Sequence, residues 1–130
     1  MNIKDLLDKY DTNNMHDSIK SFPEQFDLSI DLMKSWNSNF EYNNINKILI
    51  LGMGGSAIGG EIVADMLRFS ITIPIRINRG YSIPNWVDRN TLIIASSYSG
   101  NTEETLSSFE ECRNKFPIIV ISTGGKLLNA

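Results

Sequence analysis

Ser97, Ser99 and Thr102 bring three hydroxyls together in the stretch SYSGNTEET, at the point where an apolar run gives way to a helical pattern. The run is Thr91 to Ala95, TLIIA, short and β-branched as buried parallel strands are. Beyond it, Leu106, Phe109, Cys112 and Phe116 recur at helical spacing. The hydroxyls therefore belong to a strand-to-helix turn. A helix start carries unpaired N–H groups and the positive end of the macrodipole, so such a turn suits a phosphate monoester without needing a lysine or arginine.

A second turn of the same kind lies upstream. Lys47 to Leu51 reads KILIL, GMGGSAIGG follows from Gly52 to Gly60, and Ile58, Ile62, Met66 and Leu67 then share one helical face. Gly52, Gly54 and Gly55 free the backbone to approach a ligand, and Ser56 sets a hydroxyl beside the first helical N–H groups. Gly52, Gly54 and Ala57 also trace the outline of a dinucleotide fingerprint. A nicotinamide or flavin fold wants a carboxylate at the end of its second strand to hold the ribose. Here that strand, about Ile73 to Ile77, ends in Asn78, Arg79 and Gly80, where only Arg79 could meet a 2′-phosphate. A sugar phosphate at a topological switch point uses both loops, and this reading is preferred.

Each of these residues also has a plainer role. Ser56 reads equally as a helix N-cap, and Asn101 with Glu104 three residues on resembles a capping box. Glu103 and Glu104 beside a phosphate turn would repel the ligand, so structural roles are expected of them. His16 matches no catalytic motif and is expected in solvent or helix packing. Cys112 falls on the apolar face of its helix and reads as a buried core thiol. Trp86 either covers the pocket or packs under its Pro-containing loop; Arg79 either steers an anion or pairs with a surface carboxylate.

The elements that must position the two turns form a simple series. Residues 2 to 10 suggest a short helix, and Asp11 to Asn14 a polar link. Ser21-Phe22-Pro23-Glu24 opens a longer helix with a broad apolar face at Phe26, Ile30, Met33 and Trp36. After an Asn-rich connection at 37–46, strand candidates near 47–52, 72–77, 91–96 and 117–122 alternate with helices or a loop, which predicts a doubly wound α/β parallel sheet. The division expected is a helical segment at 1–45 and a binding domain at 46–130. The 130 residues, 42% apolar with net charge −3, suffice for a domain core and disfavour nucleic acid or an anionic membrane surface. One cysteine excludes an internal disulfide framework and fits a reducing cytoplasm. No apolar run approaches a bilayer span, the charged first residues do not read as a signal peptide, and no metal-ligand cluster stands out.

GMGGSAIGG, RGYSIPNWV at 79–87 and SYSGNTEET together resemble the amino-terminal half of the bifunctional phosphoglucose/phosphomannose isomerases, built from sugar isomerase (SIS) domains. SGNT is general to SIS domains; the other two segments narrow the match, which runs from Phe22 to the ISTGGKL segment at 121–127. The resemblance implies a flavodoxin-like SIS fold, with the fifth strand and the carboxyl end of the sheet beyond Ala130. It implies that Ser56, Ser97, Ser99 and Thr102 bind a hexose phosphate, and that Gly54, Gly55, Arg79 and Gly100 shape the sugar pocket. The catalytic arginine, glutamate base and ring-opening histidine and lysine are expected beyond Ala130, so these residues alone are expected to be inactive. A homo-oligomer of glycolysis and gluconeogenesis, without cofactor, is the implied setting. A non-catalytic SIS module that senses a sugar phosphate, or a nicotinamide-binding domain, are the alternatives.

Overall fold

The computed structural model describes residues 2–38 and 41–130. They divide into two compact units, one up to Ser38 and one from Glu41 onward. The first is helical: α1 (Ile3–Tyr10), α2 (Met15–Lys20) and α3 (Phe22–Ser35). A capping box between Asn2 and Asp5 opens α1. No pattern in the sequence announces α2. Its start is held by Asp11, whose carboxylate accepts from the amides of Met15 at 2.7 Å and His16 at 2.8 Å. Pro23 stands in the first turn of α3 as expected, but the Ser21 hydroxyl donates back to Ser18 O instead of capping. Phe26, Ile30, Met33 and Trp36 all lie exposed.

The second unit is a four-stranded, all-parallel sheet in the order β2-β1-β3-β4, with β1 (Lys47–Leu51), β2 (Ile75–Asn78), β3 (Thr91–Ser97) and β4 (Ile118–Ser122). Helix α4 (Gly54–Leu67) joins β1 to β2, α5 (Glu103–Cys112) joins β3 to β4, and a short α6 (Gly125–Leu128) follows. Alternation along the strands assigns the two faces. Leu49 and Leu51, in register with Ile93 and Ala95, pack with Phe109 and Cys112 of α5 into the core, together with Leu127 of α6. On the opposite face Ile50 lies against Gly60 of α4. Helices on both faces, wound outward from β1 and β3 in opposite directions, are the doubly wound arrangement expected. Among the described residues no helix is long and apolar enough to cross a membrane.

Helix α4 presents its face differently from a simple amphipathic reading. Its buried residues are Ala57 and Gly60, whereas Ile58, Ile62, Val63 and Met66 are exposed. The small residues bring the helix close to the sheet, and the large apolar ones point away from it.

Candidate functional site

The switch point lies between β1 and β3, from which the chain leaves in opposite directions, and ligands in open α/β sheets bind at the carboxyl ends of such strands. Register places Leu51 opposite Ala95, so the turns after β1 and β3 emerge side by side. They are in near contact: a Cβ built on Gly52 would lie 3.1 Å from Ser96 O. Gly54, with φ +51°, starts α4 from the first turn. Ser56 sits inside the first turn of that helix and is not its cap. Met53 holds the N-cap position, without a side-chain bond. A Cβ built on Gly54 or Gly55 would meet nothing within 4 Å, so the backbone of the turn is open to approach there.

Ser97 closes β3 and is almost fully buried. Its hydroxyl lies 3.0 Å from that of Thr102 and accepts from the Gly100 amide at 3.1 Å. Ser99 Oγ is exposed and accepts from Asn101 N at 3.2 Å. Thr102 is the N-cap residue of α5 by backbone position, with its side chain turned to Ser97 instead of to the helix amides. One loop thus collects Ser97, Ser99, Gly100 and Thr102 at the start of α5, beside the turn that carries Gly54, Gly55 and Ser56.

The capping box expected of Asn101 and Glu104 is not formed. The Asn101 side chain instead donates to Ser99 O at 3.2 Å and accepts from Lys126 N at 3.2 Å. Glu104 faces Tyr81, and its negative charge, ahead of burial and Glu103, raises the Tyr81 pKa. Arg79 pairs with Glu61 at 2.8 Å, both about half exposed. Glu61 follows Gly54 by seven residues, roughly 10 Å of helix rise, and the Arg79 guanidinium is thus engaged by a carboxylate of α4. A cavity of about 780 Å³ lies between Leu106 and Glu110 of α5, Arg113 just past its end, and Lys126 and Asn129; none of the four predicted hydroxyls lines it.

The plainer expectations for two residues hold. Cys112 is fully buried, and burial pushes its thiol up to about 11, with Glu111 adding to the rise. His16 is exposed. Trp86 is exposed, its carbonyl accepting from Lys47 Nζ at 3.3 Å.

Sequence reasoning missed the residues that hold the third loop, 79–90. Ser108, buried on α5, donates to Gly80 O at 2.6 Å and accepts from Asn78 Nδ2 at 3.1 Å. Glu111 accepts from Ile83 N at 3.0 Å. These contacts span 28 to 30 residues, and no local pattern announces them.

No protein-family model matches the chain. It is 45% identical over 114 residues to a bifunctional phosphoglucose/phosphomannose isomerase of Caldicellulosiruptor bescii, covering 87% of this chain and 34% of the relative. A protein of the same name from Thermoplasma acidophilum is 43% identical over 93 residues, 71% of this chain and 29% of the relative. A D-glucosamine-6-phosphate 4-epimerase of Sulfolobus acidocaldarius is 39% identical over 83 residues, 62% of this chain and 26% of the relative. The chain spans about a third of the length of these curated relatives.

Proposed function

Since the chain belongs with the bifunctional phosphoglucose/phosphomannose isomerases over the third of their length that it spans, we propose that it is the sugar-phosphate-binding part of an aldose–ketose isomerase. The reaction is the interconversion of glucose 6-phosphate or mannose 6-phosphate with fructose 6-phosphate. Ser56, Ser97, Ser99 and Thr102 hold the phosphate, while Gly54, Gly55 and Gly100 keep the loops low enough for the sugar to lie across them. Arg79 borders the pocket from the third loop. The observation that carries the reading is the Ser97–Thr102 hydroxyl pair at the start of α5, beside the glycine turn at the switch point.

The loop binds and orients. The buried Ser97 and the helix start supply fixed donors, so little reorganisation is needed when the phosphate arrives. With the phosphate fixed, a carboxylate supplied from outside these residues moves a proton between C2 and C1 through a cis-enediol. The remote phosphate contacts help lower that barrier. Relatives named for different reactions, an isomerase and a 4-epimerase, share this region, which favours assigning it to the phosphate handle common to their substrates. The Asn78 amide, committed to Gly80, Ser82 and Ser108, offers no carboxylate to a ribose and disfavours a dinucleotide.

Titration of the folded chain with glucose 6-phosphate, fructose 6-phosphate and NAD, with isomerisation assayed in parallel, tests this. Binding of the hexose phosphates without turnover is expected. Turnover by the chain alone would place the base within these residues. Binding of NAD with indifference to hexose phosphates would overturn the reading.

A further inference from the structure

We propose that the segment Ser122 to Leu127 is a positioning clamp that sets the shape of the hydroxyl loop, and that Ser122 and Gly125 are its positioning residues. The inference rests on the phosphate-site reading above. The Ser122 hydroxyl lies 2.7 Å from Ser97 O and 2.9 Å from Gly124 O. Thr123 gives both its amide, at 3.3 Å, and its hydroxyl, at 2.6 Å, to Tyr98 O. Lys126 N donates to Asn101 Oδ1 at 3.2 Å, and Leu127 N to Gly100 O at 3.0 Å. The segment is anchored by the Leu127 side chain, 1% exposed in the core.

The direction of these bonds is what makes the clamp suited to an anion site. Apart from the Ser122–Gly124 bond inside the segment, each runs from a donor in 122–127 to an acceptor in 97–101, so the clamp occupies carbonyls and leaves the loop's own N–H and O–H donors uncommitted to it. A support that used those donors would compete with the phosphate. The fit is also close: Gly100 and Gly125 both take positive φ, +66° and +70°. A Cβ on Gly100 would collide with the Gly124 carbonyl, and one on Gly125 with Ser99 O and the Gly100 backbone. Neither half of the contact tolerates a side chain.

The test uses the 130-residue chain and its Ser122→Ala, Ser122→Thr and Gly125→Ala variants. Affinity for glucose 6-phosphate, amide hydrogen exchange and thermal unfolding are measured for each. Ser122→Ala is expected to weaken glucose 6-phosphate binding by about fivefold to tenfold, and to speed exchange at Gly100 and Asn101 while β1 and β3 stay protected. Ser122→Thr, which keeps the hydroxyl, should restore both, and Gly125→Ala should lose more than Ser122→Ala. Unchanged affinity and exchange in Ser122→Ala, with binding still lost in Ser97→Ala, would overturn the clamp and leave the site standing. Loss of protection throughout the sheet would make Ser122 a general stability residue and equally overturn it. A wild-type chain that binds no hexose phosphate would overturn the site and the clamp together.

Discussion

The buried hydroxyl of Ser97 serves two neighbours at once, Thr102 Oγ1 and Gly100 N, and this sharing decides how substitutions should behave. Ser97→Ala or Thr102→Ala is expected to cost roughly 1.5–3 kcal/mol of phosphate affinity, the range for hydrogen bonds to a charged group. Because the two oxygens touch, the double variant should lose less than the sum, with a coupling of about 0.5 kcal/mol or more. Glu104→Gln should leave phosphate affinity within about 0.5 kcal/mol, as its partner is Tyr81 and not the loop. Calorimetric titration of the five chains, wild type included, checks this, and equal affinity in wild type and both hydroxyl variants would reduce the loop to ordinary helix-start geometry. Cys112 provides a separate check on packing. Its thiol, pushed up to about 11 by burial, should react with a thiol reagent at pH 8 at least about a hundredfold more slowly than in the unfolded chain, where thiolate forms near pH 8.5. Folding keeps this group protonated, so its contribution to stability is full below the unfolded pKa and is lost as pH rises toward 11. Equal labelling rates in folded and denatured chain would contradict the burial.

Among elements, α4 shows most plainly what the sequence could and could not announce. The apolar runs KILIL and TLIIA made two strands legible because a parallel strand covered on both faces must be apolar throughout, and PIIVIS made a third legible although Val120 and Ile121 stand exposed. The glycine turn and hydroxyl turn were legible because few local conformations need such residues. The face of α4 was not, since Ile58, Ile62 and Met66 have the period of a core stripe yet stand outside, while Ala57 and Gly60 face the sheet. Asn101 misled for a related reason: the spacing of a capping box is local, but its side chain is claimed by Lys126, 25 residues away. Helix α2 escaped notice because the carboxylate that starts it lies four residues upstream of Met15. Two neighbouring glycines of α4 test its assigned orientation. A Cβ on Gly59 meets nothing, whereas one on Gly60 lies 2.9 Å from Ile50 Cδ1 and 3.2 Å from its Cγ2. Gly59→Ala should therefore gain about 0.5–1 kcal/mol from helix propensity, and Gly60→Ala should lose most or all of that gain to displacement of Ile50. Urea unfolding resolves the difference, and equal stabilisation by both would mean that Gly60 does not face the sheet.

On the β4 side the sheet ends in a strand that no other strand covers. β4 pairs with β3 on one side only, and among the described residues nothing pairs with its outer edge. The chain after Ser122 turns back onto the hydroxyl loop, as Thr123 and Leu127 show, instead of lying along that edge. The strand carries no charge within Ile118–Ser122, and Ile121 is 57% exposed. An uncharged apolar edge is a template for pairing. The outward stripe of α4, with Met66 at 73% exposed, adds a second apolar surface within the same unit. Self-association of the 130-residue chain is therefore predicted, visible in sedimentation as a mass that rises with concentration. Ile121→Lys is the informative control, since Ile119 in the same strand is partly buried and its replacement would strike the packing as well as the edge. The lysine should shift the chain toward monomer by charging the edge, whereas Met66→Lys should do so only if α4 forms the contact. A wild-type chain that stays monomeric at every concentration, with the outer amides of β4 protected from exchange, would show that the edge is already covered and would remove the basis for this prediction.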